Sequence, residues 1–245
     1  GVQAILPFIH KKIVTYGFSR QADVQARDID MQGFGSSYDL LFKDYKLGRI
    51  SLKVTGKHNI QNSLLAASIG LELDIPFPAI QDGLSKFSGV YRRFDLKGEA
   101  GGITVYDDYA HHPTEIMATL EGFKDSAKRR IVTLFQPHLF SRTRDFYKEF
   151  GKSFFSCDCL ILAPVYPARE QPIPGVSSKL IADAAIQSGH HNVHLIKSNS
   201  EIVSQTLALL KEGDILITMG AGNIWQYGEE ILRQLKNYVD TNHKQ

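Results

Sequence analysis

The stretch ITVYDDYAHHPTE, residues 103–115, passes from an apolar, β-branched run to a proline that suits the first position of a helix. Its first half predicts a buried strand over 103–108, and its second half opens a helix predicted over 113–127. The same alternation continues downstream. Apolar runs stand at RIVTLF (130–135), DCLILAPVY (158–166), NVHLI (192–196) and DILITMG (214–220), with helical stretches at 145–155, 178–188, 201–211 and 224–238. Nearly continuous apolar strands that alternate with helices predict an α/β fold with a mainly parallel sheet covered on both faces. Such sheets bind ligands beyond the carboxyl ends of their strands. That rule singles out DDYAHHP, FQPH, PVYPARE and MGAGN, each of which ends a predicted strand.

Upstream the pattern differs. Residues 1–56 hold short segments broken by turns (IVTYGF, SSYDLLFK, ISLKV), which predict β structure with Gly33 and Gly35 at a turn. Apolar residues at helical spacing predict a helix from Asn59 to Leu73, and a second covers 79–87, before GVYRRF. The break in pattern places a domain boundary near residue 94, giving segments 1–94 and 95–245. The chain opens apolar and without an initiator methionine, which reads as the interior of a longer protein.

Composition excludes several classes of function. The 245 residues are 43% hydrophobic and 22% charged with a formal net charge of +2, so no nucleic acid or anionic membrane is expected as partner. No apolar run approaches the roughly 20 residues of a membrane helix, and without a leader sequence the default location is cytoplasmic. The two cysteines, Cys157 and Cys159, are expected to be reduced structural thiols on one face of a strand.

The strand-end motifs carry the chemistry. In DDYAHHPTE, two acids, a tyrosine and two histidines crowd a helix start whose free N–H groups can hold an anion. FQPHLFSRTRD (135–145) adds Gln136, His138, Ser141, Arg142 and Arg144, and arginine grips carboxylate or phosphate through a two-point fork. In GKHNIQNSLLAA (56–67), His58 precedes Asn59 and Asn62, which share a helix face and can read the edge of a flat ring. Arg92 and Arg93 in GVYRRFD are neighbours that point opposite ways if the segment is extended. Other patterns fall short. GKS at 151–153 lacks the earlier glycine of a phosphate loop, GAGN lacks the third glycine of a dinucleotide fingerprint, and His190, His191 and His194 do not make a metal site.

Taken in order, GKHNIQNSLLAA, GVYRRFD, DDYAHHPTE, FQPHLFSRTRD and PVYPARE resemble the ATP-dependent Mur ligases over essentially the whole chain. The resemblance is nearest to the branch that joins L-alanine to UDP-N-acetylmuramic acid. It implies that 1–94 is the β-rich and helical tail of an ATPase-type central domain and 95–245 a C-terminal Rossmann-like ligase domain. The UDP-sugar domain, the phosphate loop and the ligands of Mg2+ would lie in segments of the same protein outside this chain. ATP is then the implied cosubstrate, and the reaction is amide formation through an acyl phosphate.

Residue by residue, the resemblance gives ATP binding to His58, Asn59, Asn62, Arg93 and Asp108, and catalysis to Arg93, Asp108 and His111. It places Tyr109, His111, His138, Ser141 and Arg142 around the amino acid, and it assigns no metal ligand here. One departure is Leu139, where many members carry arginine. The alternatives are the ligase that recycles a whole tripeptide and, for the chain alone, an inactive nucleotide-binding module.

Overall fold

A computed structural model describes residues 6–31 and 35–242, with side chains through 238, and divides them into two compact units that meet in sequence at Ser88 and Gly89. Gly33, expected at a turn, lies outside the described residues.

The first unit holds a four-stranded sheet, β1 (Tyr16–Gly17), β2 (Val24–Asp30), β3 (Ser36–Phe42) and β4 (Tyr45–Leu52), in sequential order. Helices α1 (Lys57–Glu72) and α2 (Phe77–Lys86) complete it. Val24, Ala26, Tyr38, Leu40, Ile50, Leu52, Ile60, Leu64, Ala67 and Ile80 form its core, so the inward residues of the strands meet the i, i+4, i+7 stripe of α1. One polar pair is admitted, the Tyr38 hydroxyl at 2.7 Å from Ser63 Oγ.

The second unit is the expected α/β layer. It runs β5 (Asp95–Ala100), β6 (Ile103–Asp108), α3 (Pro113–Ser126), β7 (Ile131–Phe135), α4 (Phe140–Ser153), β8 (Cys159–Leu162), α5 (Ser178–Gln187), β9 (Val193–Leu195), α6 (Ile202–Leu209), β10 (Ile215–Met219) and α7 (Ile224–Asn242). The six strands stand in the order β5-β6-β10-β7-β8-β9. All neighbours are parallel except β5, which pairs antiparallel with β6. Two clusters cover the sheet. Residues of α3, α4 and α5 pack on Tyr106, Phe135, Leu160 and Ile217, and residues of α6 and α7 pack on Val105, Leu134, Ile161 and Leu216. The chain lays three helices on one face, then returns over the other to insert β10 between β6 and β7. That insertion is the topological switch point. Its register sets Met219 level with both Asp108 and Phe135, so the three strands end side by side.

Several sequence expectations need correction. β5 was not anticipated because DLKGEA has no β-branched or aromatic residue and only Leu96, Gly98 and Ala100 on its less polar side; pairing with β6 creates it as an edge strand. Arg92 and Arg93 lie in a turn rather than a strand, with Arg92 and Phe94 at positive φ (59° and 52°), and they belong to the second unit. Helix α4 begins at Phe140, five residues before its expected start. Leu139, at φ 73°, turns the chain, its carbonyl takes both the N–H and the hydroxyl of Thr143, and the charged SRTR segment hides the helical period. The cysteines are free and buried, but Cys157 belongs to one cluster and Cys159 to the other, because residue 157 precedes the strand in a turn.

Among the described residues no helix is long and apolar enough to cross a membrane. Two glycines test the packing. A Cβ on Gly151 of α4 would stand 2.6 Å from the Ala184 carbonyl carbon of α5, whereas one on Gly83 of α2 would meet nothing within 4 Å. Gly151→Ala is therefore expected to cost about 1–3 kcal/mol in denaturant unfolding, while Gly83→Ala stabilises by about 0.5–1 kcal/mol.

Candidate active site

The carboxyl edge of the second unit's sheet is built around a buried ion pair. Arg92 Nε donates to Asp107 Oδ2 at 2.8 Å, while its terminal nitrogens donate to the carbonyls of Gly220 (2.5 Å) and Gly222 (3.2 Å). Thr218 Oγ1 donates to the other oxygen of Asp107 at 2.7 Å, and Asp107 is 0% exposed. Every strong acceptor in this knot is occupied, as a buried charge requires. The Arg92 carbonyl in turn receives the Tyr109 N–H at 2.6 Å, which ties the turn before β5 to the loop after β6.

Asp108, 2% exposed, does similar work. Its carboxylate accepts the Phe94 N–H at 2.9 Å and the Ala110 N–H at 2.8 Å. Burial pushes its carboxyl up to about 6, against the opposing pull of those two N–H groups and of Arg93. The carboxyl thus faces the protein and fixes the backbone just after Arg93 and in the loop after β6. Arg93 itself is exposed, and its guanidinium lies 5.6 Å from the centre of the Tyr109 ring. Of the two neighbouring arginines, Arg92 is consumed by the fold and Arg93 is left available to a ligand.

The helix starts were expected to offer free N–H groups to an anion. At α3 an acid of the protein engages the N–H groups of the two residues ahead of the helix, and at α4 an acid engages one in the first turn. Glu115 accepts the N–H groups of His111 (3.1 Å) and His112 (3.3 Å) ahead of α3. Glu170, from the loop after β8, accepts both the hydroxyl and the N–H of Ser141 in the first turn of α4. The Ser141 hydroxyl, then its N–H, hold the Glu170 carboxyl below the ordinary glutamate range.

The candidate side chains are gathered from three loops. Tyr109 and His111 stack edge to face at 5.1 Å, His111 and His138 at 6.2 Å, and His138 lies nearly parallel to Tyr166 at 5.7 Å. The loops after β7 and β8 are zipped together by Leu139 N–H to the Tyr166 carbonyl (2.9 Å) and Tyr166 N–H to the Pro137 carbonyl (2.8 Å). Gln136 lies under them, and Gly222 is required there, since a Cβ would stand 2.5 Å from Gln136 Oε1 and 2.7 Å from Tyr166 Cγ. His138 Nδ1, one Arg142 terminal nitrogen and Gln136 Oε1 are buried without a hydrogen-bond partner among the described residues. Orphaned buried polar atoms are costly, and their concentration in one loop marks the place as a site rather than a core.

Tyr109, His111, His138 and Arg142 are thus brought to one edge of the sheet. Ser141 is there too but is engaged by Glu170. Sequence reasoning passed over Glu170, Tyr166 and the anchoring role of Arg92. PVYPARE had flagged the first two only as a strand end, and nothing local distinguished Arg92 from Arg93.

In the first unit, His58 and Asn62 are exposed at the start of α1, while Asn59 is half-buried and its amide donates to the Thr55 carbonyl at 2.8 Å. Asn62 alone of the two carboxamides therefore has its polar end turned to solvent. Among the described residues no group of three or more His, Cys, Asp or Glu side chains could hold a metal ion.

Residues 92–222 match the Mur ligase, glutamate ligase domain, and residues 2–70 match the Mur ligase middle domain. A UDP-N-acetylmuramate--L-alanine ligase of Trichlorobacter lovleyi is 44% identical over 236 residues, 96% of this chain and 52% of that protein. One of the same name from Salinibacter ruber is 45% identical over 241 residues, 97% of this chain and 50% of the other. The chain spans about half the length of the curated relatives it matches. Among solved structures, a UDP-N-acetylmuramate-alanine ligase from Thermotoga maritima shares the fold with a TM-score of 0.77 at 22% identity, over 92% of this chain and 48% of that one.

Two outcomes follow from the buried acids. Arg92→Met leaves Asp107 charged and short of partners, and is expected to cost about 3–5 kcal/mol in denaturant unfolding of this unit. For Asp108, the folded carboxyl binds its proton more tightly than the unfolded one. Stability from this group is unaffected below pH 3.8, falls as pH rises toward about 6, and stays reduced above it. The loss amounts to on the order of 3 kcal/mol. Carbon NMR of the Asp108 carboxyl checks this; a midpoint near the ordinary aspartate value would contradict it.

Proposed function

The chain belongs to the Mur ligase family, and from that membership we propose that it is part of an ATP-dependent ligase that joins L-alanine to the carboxylate of UDP-N-acetylmuramic acid. The observation that carries the proposal is the loop edge where orphaned, buried polar atoms of His138 and Arg142 meet Tyr109, His111 and Arg93 on a rigid parallel sheet. The names of relatives 44–45% identical over nearly the whole chain support the substrate assignment. The protein would act in the cytoplasm, in the synthesis of cell-wall precursors.

In this reading ATP converts the muramoyl carboxylate to an acyl phosphate, and the amine of L-alanine attacks its carbonyl carbon with loss of phosphate. Arg93 opposes the charge gathered on the transferred phosphoryl group, with Tyr109 beside its guanidinium limiting its motion. Asp108 acts on Arg93 through the Phe94 N–H, which it holds in place. Arg142 receives the carboxylate of L-alanine, with His138 beside the amide being formed and with Ser141 and Glu170 setting the first turn of α4 from which Arg142 projects. His58, Asn59 and Asn62 of the first unit bind the adenine, Asn62 offering its carboxamide directly. Mg2+ supplies charge neutralisation on the phosphates when bound, and its ligands come from elsewhere in the protein.

The full-length ligase tests this with UDP-N-acetylmuramic acid and L-alanine, glycine, L-serine or the tripeptide, phosphate release being measured. L-alanine is expected to give the highest kcat/KM, and preference for the tripeptide would overturn the assignment. Arg142→Ala is expected to raise KM for L-alanine about 10–100-fold with little effect on KM for ATP, and Asn62→Ala to do the reverse. Equal effects on both substrates would refute the division of roles.

A further inference from the structure

Two imidazoles in the strand-end cluster are presented to the site with opposite hydrogen-bonding character, and their surroundings dictate which is which. His111 Nδ1 lies 2.9 Å from the backbone carbonyl of Tyr109. A carbonyl only accepts, so Nδ1 carries the proton, and the neutral ring has its lone pair on Nε2. Glu115 Oε2 lies 3.5 Å from the same Nδ1, ready to balance a positive ring. The arrangement is that of an orienting acceptor behind a proton-taking nitrogen.

His138 is the reverse. Its Nδ1 is buried and has no acceptor among the described residues, whereas Nε2 is not among the buried orphans. Two of the three protonation states of the ring, the Nδ1–H tautomer and the imidazolium, would leave a buried N–H unpaired. Only the Nε2–H tautomer keeps the proton off the buried, unpartnered nitrogen. Burial first, then the Arg142 guanidinium and His111, push the basicity of this ring below that of an ordinary histidine, and Glu170 opposes them only weakly. Stacking on Tyr166 at 5.7 Å holds the plane of the ring. The charged and titratable groups that face the pair are Glu115, Arg93 and Tyr109 on the His111 side, and Arg142, Glu170 and Tyr166 on the His138 side.

We propose that the two histidines divide the second half of the reaction between them: His111 takes the amine proton on Nε2, and His138 remains neutral and donates its Nε2–H to the oxygen that becomes negative. The inference rests on the ligase reading above. As the neutral amine forms its bond to the acyl carbon, one N–H proton passes to His111 Nε2, and the carbonyl electron pair moves onto oxygen, which accepts a hydrogen bond from His138 Nε2–H. When the carbonyl re-forms, the carbon–oxygen bond to phosphate breaks and its electron pair leaves with phosphate. The proton on His111 then passes to that phosphate, so the protein ends as it began. A neutral imidazole donor serves better here than an imidazolium. Burial, then Arg142 and His111, lower its basicity and favour the neutral ring, and it does not compete with Arg142 for the same counter-charge.

Two measurements test the division. Nitrogen-15 NMR of the labelled 245-residue chain reads tautomers without any turnover. The expected result at pH 7.5 is Nδ1–H for His111 and Nε2–H for His138, and the opposite tautomer in either ring overturns the proposal. In the full-length ligase, glutamine places an amide donor near the position of Nε2 and asparagine near that of Nδ1. His138→Gln is therefore expected to keep kcat within about 10-fold, and His138→Asn to lose about 100-fold or more. Equal losses in the two variants would sink the donor role. His111→Gln is expected to remove the acid limb of the kcat/KM profile for L-alanine and to lower kcat about 100-fold; an unchanged limb would rule His111 out as the proton acceptor. If wild-type protein releases no phosphate in response to L-alanine, the ligase reading itself has failed, and with it the reaction step assigned to the pair.

Discussion

The guanidinium of Arg92 reaches from a turn ahead of the sheet to the ends of two adjacent strands, and the loops above it take their course from that contact. One side chain satisfies Asp107 of β6 and the carbonyls of Gly220 and Gly222 beyond β10. Without it Asp107 would keep only Thr218 as a side-chain partner, and the two glycine carbonyls, which lie beyond the parallel ladder, would lose this donor. Because Arg92 is spent in this way, its backbone carbonyl and its neighbour are fixed as well: Tyr109 is hydrogen-bonded to the turn, and Arg93 is left on the surface beside the tyrosine ring. The arrangement of the site is thus a consequence of charge burial below it.

A second constraint is the treatment of helix starts. Both α3 and α4 begin at the functional edge, and both have their leading N–H groups or first turn engaged by glutamates of the same unit. A helix start satisfied internally is a poor anion site. What remains for ligands are side chains whose polar atoms have no internal partner, chiefly those of His138 and Arg142. The site is polar where the fold does not need it to be.

Much of this was legible in the sequence. The five apolar runs of the C-terminal part and the helices between them follow from period and proline placement, because strands buried on both faces leave a continuous apolar signature. The edge strand β5 left none, since an edge strand paired on one side needs no apolar run. The early start of α4 was equally hidden, since it depends on a left-handed Leu139 and on a glutamate about 30 residues away. The strand-end rule pointed to the loops that bring His111, His138 and Tyr166 together. It could not tell Arg92 from Arg93, or Asp107 from Asp108 in their partners, because adjacent residues of one type carry the same local signal.

From sequence alone came the identity of the chemistry-bearing residues, the α/β class and the resemblance of ordered motifs that the family comparison bears out. These are properties of local pattern and composition. Tertiary structure decided which of those residues are consumed as supports and which are left to act: Arg92 and Asp107 within, Arg93 without; His111 anchored through Nδ1 and His138 stripped of a partner at the same atom. The physical reason is that a hydrogen bond or ion pair is settled by what stands across from a group. For every residue of this site, the decisive partner comes from another strand, another loop, or a backbone carbonyl that the side-chain sequence does not encode.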